Sequence, residues 1–156
     1  MTSNMPDAPT VSNSSCLIGL EAVGHLDILQ QLYTTIEVPE AVAQECRSAL
    51  PTWAQVHAVQ NRSLVQSLRL DLGAGEAEAI ALSVECAAAR LILDDKNARR
   101  IARQLHQPVT GTLAVLLRAK DQGILSNVRD IIDALAAANF RVSDALVQEV
   151  LRQARE

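Results

Sequence analysis

Asp94 and Asp95 stand side by side directly after the apolar run Leu91-Ile92-Leu93. Adjacent acids at the end of a strand repel one another unless a cation or basic groups neutralise them. Other polar groups follow apolar runs in the same way: Asn13 after Thr10-Val11-Ser12, and Thr112 after Val109-Thr110-Gly111. Glu45, Glu76 and Glu78 fall in segments of helical character that start near the same edge. In an open parallel sheet, ligands bind outside the carboxyl ends of the strands. An amide, several carboxylates and a threonine would therefore meet on one rim. Oxygen donors of this kind suit Mg²⁺ or Mn²⁺ rather than zinc. Carboxylates that hold such an ion equip a site for phosphodiester hydrolysis, because the ion activates water and neutralises the leaving oxygen.

Each of these residues has a plainer reading. Asp95 precedes Lys96-Asn97-Ala98-Arg99 and is placed to cap a helix. Glutamates on helices are most often solvated. Glu76 and Glu78 cannot both face one site, since two helical positions differ by about 200° of rotation. One is expected to interact with the helix dipole while the other is free to act as a ligand. Lys96, Arg99, Arg100 and Arg103 form a basic helical stripe immediately after the two acids. The stripe is either a solvated face or a set of phosphate-positioning groups. Gly73-Ala74-Gly75 precedes a helix, but Glu78 stands where a dinucleotide loop needs its third glycine. The glycines therefore read as a tight turn into the helix. His25, His57 and His106 are scattered and lack metal-ligand spacing.

The elements that position these residues alternate between strand and helix. A strand is expected at about 9–13, with Ser14 or Ser15 capping a helix over Cys16–Ala22. A second helix follows over His25–Tyr33, then a strand over Thr34–Pro39. Pro39 opens a helix that runs to about Leu50. Residues 52–61 read as a short helix and Ser63–Leu70 as a strand. Gly73–Ala89 is a strong Ala-rich helix, Arg90–Asp95 a buried strand, and Lys96–His106 a basic amphipathic helix. A very short strand lies within Pro108–Thr112. Helices at about 113–122, 127–138 and 143–155 end the chain as an all-α appendage. Alternation of this kind implies an α/β fold with a parallel sheet and helices on both faces.

Composition narrows the function classes. At 156 residues the chain is one domain's worth and can bury a real core. Aromatic residues make up only 2%, which argues against recognition on aromatic base-stacking platforms. A net charge of −4 excludes a generic nucleic-acid coat, so any such contact must use a local basic patch. Cys16, Cys46 and Cys86 are isolated, which fits small buried hydrophobes in a reducing compartment. No apolar run approaches the ~20 residues of a membrane span. The first residues also lack the pattern of a signal peptide. A cytoplasmic protein is expected, and the Asn13-Ser14-Ser15 sequon has no secretory context.

Five stretches in order resemble a known family: "VSNSSCLIGLEAVGHLDIL", "IEVPEAVAQE", "LDLGAGEAEAIALSVE", "LILDDKNARRIARQL" and "VTGTLAVLLRAKDQGIL". Together with the ending "AANFRVSDALVQEVLRQA" they resemble the PIN-domain-like proteins of prokaryotes, in particular a small subfamily described as predicted nucleic-acid-binding. The resemblance implies a three-layer α/β/α fold with a central parallel sheet of four to five short strands, plus C-terminal helices. It covers one domain over 9–155, of which 113–155 is the helical C-terminal part, while residues 1–8, polar and with one proline, read as a flexible tail. The better-known members are VapC-like toxins, which are Mg²⁺/Mn²⁺-dependent ribonucleases paired with small antitoxins. By resemblance, catalytic roles fall on Glu45, Glu78 and Asp95, and metal contacts on these three with Asn13 and Asp94. Ser14, Glu76 and Thr112 would support them, and Lys96, Arg99, Arg100 and Arg103 would bind nucleic acid. RNA, an antitoxin protein and a homodimer partner are the implied partners, with the apolar faces of 15–33 as the dimer surface.

The sequence departs from the family at Asn13, where an acid is expected. An amide can offer an oxygen to a metal but carries no charge and cannot serve as a base. Two functions follow: a metal-dependent endoribonuclease, or a PIN-like binding module with weak or no catalysis.

Overall fold

The computed structural model describes residues 8–156. The predicted tail at 1–8 lies outside the described residues except for Ala8, which is exposed. Five strands form one sheet in the order β3-β2-β1-β4-β5. They are β1 (Thr10–Ser12), β2 (Ile36–Pro39), β3 (Ala54–His57), β4 (Arg90–Ile92) and β5 (Val109–Thr110). Every pairing is parallel. Nine helices flank the sheet among the described residues: α1 (Ser14–Ala22), α2 (Asp27–Tyr33), α3 (Glu40–Glu45), α4 (Arg62–Leu68), α5 (Ala74–Cys86), α6 (Lys96–Gln104), α7 (Thr112–Asp121), α8 (Arg129–Ala137) and α9 (Asp144–Gln153).

The central strands are apolar because helices cover them. Val11, Ile36, Val38, Leu91 and Ile92 are fully buried. Helix α5 packs across β1, β2 and β4. Its run of alanines keeps the helix close to the sheet, and Ala77, Ala79, Ile80 and Ala81 have no exposed surface. The chain starts in the middle of the sheet. From β1 it builds outward to β2 and β3, then crosses to β4 and β5 on the other side. The winding reverses between β1 and β4, which is where an open α/β sheet leaves a crevice. Val11 pairs with Leu91, and the Asn13 N–H donates to the Ile92 carbonyl, so the two strands end side by side there.

Several expected elements differ. Residues 54–57 are an edge strand on β2, not part of a helix. Their local composition favours neither state, and pairing with β2 decides it. Residues 62–68 are a helix, not a strand. Asn61 caps it by accepting from the Leu64 N–H, and Val65 and Leu68 bury one side. Helix α3 stops at Glu45, well short of Leu50. The cap of α1 is Asn13 rather than Ser14 or Ser15.

The last three helices are not an appendage. Leu116, Leu135 and Leu151 belong to the same hydrophobic core as the sheet. Nor is the apolar face of residues 15–33 free for a partner, because Leu17, Leu20, Ile28 and Leu29 are buried in that core. Ile18 alone among the large hydrophobics of α1 is substantially exposed, at 46%.

Candidate functional site

At the carboxyl edge, where β1 and β4 end, a cleft of about 640 Å³ opens. Asn13, Ser14 and Ser15 line it from the β1–α1 junction, Glu45 from the end of α3, Glu76 from the first turn of α5, and Asp94, Asp95 and Lys96 from the β4–α6 junction. The fold thus brings together Asn13, Ser14, Glu45, Glu76, Asp94 and Asp95 from among the predicted residues.

Glu78 is not with them. Two positions past Glu76, about 200° of rotation carry it to the other side of α5, where it is buried. Its Oε1 accepts from the Ala41 N–H at 3.1 Å, and its Oε2 pairs with Arg62 at 3.2 Å. Ala41 lies in the first turn of α3, so Glu78 satisfies one of that helix's free donors. The structural consequence is a correction of the helix phase: the acid facing the cleft is Glu76.

The acids fall into two groups. Asp94 is committed to hydrogen bonds. Its Oδ1 accepts from the Thr112 N–H at 2.8 Å. Its Oδ2 accepts from the Thr112 hydroxyl at 2.6 Å and from the Ser15 hydroxyl at 3.2 Å. Thr112 is buried beneath it at the start of α7, so the threonine reaches the site through Asp94. Asp95 caps α6 by accepting from the Ala98 N–H at 2.9 Å, and its side still lines the cleft. Both readings of Asp95, as cap and as site acid, therefore fit one position.

Glu45 and Glu76 complete the open group. Glu45 accepts from the Ser14 hydroxyl at 2.7 Å. Burial raises the Glu76 pKa; the charge of Asp95 and, less strongly, that of Glu45 push the same way, against a hydrogen bond from the Gly73 backbone. Gly75 makes room for this arrangement. A Cβ placed there would lie 2.8 Å from the Glu45 carboxyl carbon and would strike its oxygen. The glycine pair is thus more than a turn into the helix: Gly73 is the cap of α5, while Gly75 accommodates Glu45.

Asn13 uses both ends of its amide. Its Oδ1 accepts from the Cys16 N–H at 3.2 Å, capping α1. Its Nδ2 donates to the Ser15 oxygen at 2.8 Å, and Ser15 in turn donates to Asp94. A chain of hydrogen bonds therefore runs Asn13–Ser15–Asp94–Thr112. A carboxylate at position 13 could not donate to Ser15.

The basic residues flank the acids. Lys96, Arg99 and Arg103 line a second cleft of about 390 Å³, which shares Asp94 and Lys96 with the first. Arg141, from the turn before α9, lines both. It was not legible in the sequence, being remote from the acids along the chain. Arg100 lines neither cleft and donates to Asn97 at 2.6 Å on the helix surface. Arg99 is held at the inner wall, near Gly111 and Asp94. Its Nε is buried without a partner.

As the side chains stand, no group of three or more His, Cys, Asp or Glu that could hold a metal ion is found among the described residues. The donor chemistry nonetheless suits a hard cation. Glu45, Glu76 and Asp95 offer only oxygens. Burial and, after it, the charge of Asp95 raise the Glu76 pKa, and a cation beside these carboxylates would act in the opposite direction.

A carboxyl-edge cleft at the reversal of a five-stranded parallel sheet, floored by acids and flanked by arginines, defines an α/β/α protein of nuclease-like fold. Residues 9–156 match the family model DUF3368, a PIN domain, and the chain belongs to the PIN-domain family. No match was found among curated proteins or solved structures. No helix among the described residues is long and apolar enough to cross a membrane.

Proposed function

We propose that the protein is a metal-dependent endoribonuclease of PIN type. The observation that carries this reading is the junction of two clefts of opposite charge: Glu45, Glu76 and Asp95 face one, Arg99 and Arg103 the other, and Lys96 and Arg141 stand between. An acidic site repels phosphates by itself, so it needs both a cation and adjacent basic groups to accept an RNA backbone. Glu45, Glu76 and Asp95 would hold Mg²⁺ or Mn²⁺. The ion when bound supplies an activated water and stabilises the leaving oxygen. Asp94, fixed by Thr112 and Ser15, keeps the floor rigid, while Lys96, Arg99, Arg103 and Arg141 seat the backbone phosphates. A role as the toxin of a type II toxin–antitoxin pair rests on the likeness to VapC-like proteins. Growth arrest on expression, relieved by a protein encoded next to it, tests that role.

The alternative is a PIN domain that binds nucleic acid without cutting it. Asn13 favours it, because the amide is spent on capping and on Ser15 and adds no charge for a cation. The deciding experiment incubates the protein with single-stranded and structured RNA in Mn²⁺, beside Glu76→Gln and Asp95→Asn. Cleavage lost in both variants supports the enzyme. RNA binding that survives chelation, with no cleavage under any divalent ion, supports the binding module.

A further inference from the structure

The acidic cleft has a second wall that the hydrolytic chemistry does not use. Ile18, Gly19 and Ala22 of α1 face Ala138, Asn139, Phe140 and Arg141 of the α8–α9 turn. This wall is built rather than incidental. Phe140 is the only phenylalanine in the chain. It packs so closely on Gly19 that a Cβ there would lie 2.8 Å from its ring. Asn139 holds the turn in the left-handed region at φ 66°, and the Phe140 N–H returns to the Leu135 carbonyl at 2.9 Å. Ile18 remains 46% exposed on the opposite side.

The wall is apolar, yet it adjoins groups that would bind phosphate. Lys96 and Arg141 line the same cleft, and Arg99 and Arg103 continue the basic path beyond them. A backbone seated on these cations borders both the acids and the wall, which share one cleft. Neither a phosphate nor a ribose suits an aliphatic and aromatic surface. The part of a nucleotide that does is the face of its base. We propose that Ile18, Gly19 and Phe140 form a nucleobase subsite, with Asn139 at its edge to read the base's polar atoms. The inference rests on the nuclease reading and adds to it a position of base selection. A base lodged there has left its stack, at a cost in pairing and stacking that a duplex incurs and a single strand or loop largely avoids.

The experiment uses the full chain and an RNA oligomer in Ca²⁺, a hard cation that oxygen ligands hold but that activates water poorly, so that binding is read without cleavage. Binding is compared with a set of the same oligomers carrying one abasic site at each position in turn. One position should weaken binding about tenfold, the loss of one stacked base. Ile18→Ser, at an exposed residue, should erase that difference. Asn139→Gly keeps the left-handed turn, and it should alter which base is preferred at the cut without abolishing cleavage. Equal binding of every abasic oligomer, or a difference that persists in Ile18→Ser, overturns the subsite while the nuclease reading stands on cleavage of natural RNA. A protein that binds and cuts no RNA overturns both.

Discussion

The carboxylate of Glu45 lies against the backbone of Gly75, in the space that any larger residue's Cβ would occupy. Two helices that are remote in sequence thereby place Glu45 and Glu76 in one cleft. Gly75→Ala separates position from fold. Alanine raises helix propensity by up to about 1 kcal/mol, which offsets part of the collision with an exposed side chain that can swing away. The melting temperature should change by only a few degrees. Cleavage should fall about 100-fold, since small misplacements of a catalytic group are that costly. Wild-type cleavage rates in Gly75→Ala would remove Glu45 from the working site.

The neighbouring glutamates of α5 should respond in opposite ways. Glu76 carries a carboxyl whose pKa is raised by burial and by like charges, so the fold gains nothing from its ionised form. Glu76→Gln should lower metal-dependent cleavage by more than about 100-fold, since losing a ligand costs more than losing an outer-shell partner, worth about 10–100-fold, and leave thermal stability equal or higher. Glu78→Ala strips the partner from the buried Ala41 N–H. It should cost about 1–3 kcal/mol in urea denaturation. Arg62, more than half exposed, returns to water and adds little. The reverse pattern, with Glu78→Ala stable but inactive, would reinstate Glu78 as a site acid.

That pair also shows how far the sequence could be read. The strand before Asp94-Asp95 and the Ala-rich helix were evident from an apolar run and a uniform composition. The phase of that helix was not. Ala77, Ala79, Ile80 and Ala81 are buried on nearly every side, so no apolar stripe marks which glutamate faces inward. Strand β3 and helix α4 were interchanged for a related reason. An edge strand exposed along Gln55, Val56 and His57 shows no buried alternation, and its pairing with β2 is a tertiary choice. The Asn61 cap was a local signal that identifies α4. The closeness of Gly75 to Glu45, and of Arg141 to Asp94, depends on distant segments meeting and leaves no local trace.

The end of the described chain carries a pH-sensitive clasp. Glu156 accepts from Lys120 and from the N–H groups of Val128 and Arg129. Burial alone would raise its pKa, but these partners outweigh it and hold the carboxyl below its ordinary value. A depressed folded value means the stabilisation is complete above the unfolded glutamate pKa and is lost as pH falls through the folded one. Protection factors in α9, taken against the intrinsic exchange rate at each pH, should therefore fall on acidification below the usual carboxylate range. Glu156→Gln should show the lower protection already at neutral pH, with less dependence on acid. Identical pH profiles for the two proteins would place the acid sensitivity elsewhere.

Placing an acid at position 13, Asn13→Asp, tests the cation site most directly. Aspartate still caps α1 through the Cys16 N–H, so the helix start is kept. It cannot donate to Ser15, however, and the Ser15 hydroxyl must turn toward position 13 and release Asp94. A nearly buried carboxylate is also added beside Glu45, Glu76, Asp94 and Asp95. Without metal the variant should be less stable than the wild type by about 1–3 kcal/mol, the cost of a buried polar group left poorly paired. With Mn²⁺ the added charge becomes a ligand. Calorimetry should then show affinity raised about tenfold or more, equivalent to 1.4 kcal/mol of added attraction, and the melting temperature should recover as the ion binds. An unchanged Mn²⁺ affinity, with the stability loss intact at every metal concentration, would leave Asn13 as a helix cap and move the cation away from the β1–β4 junction.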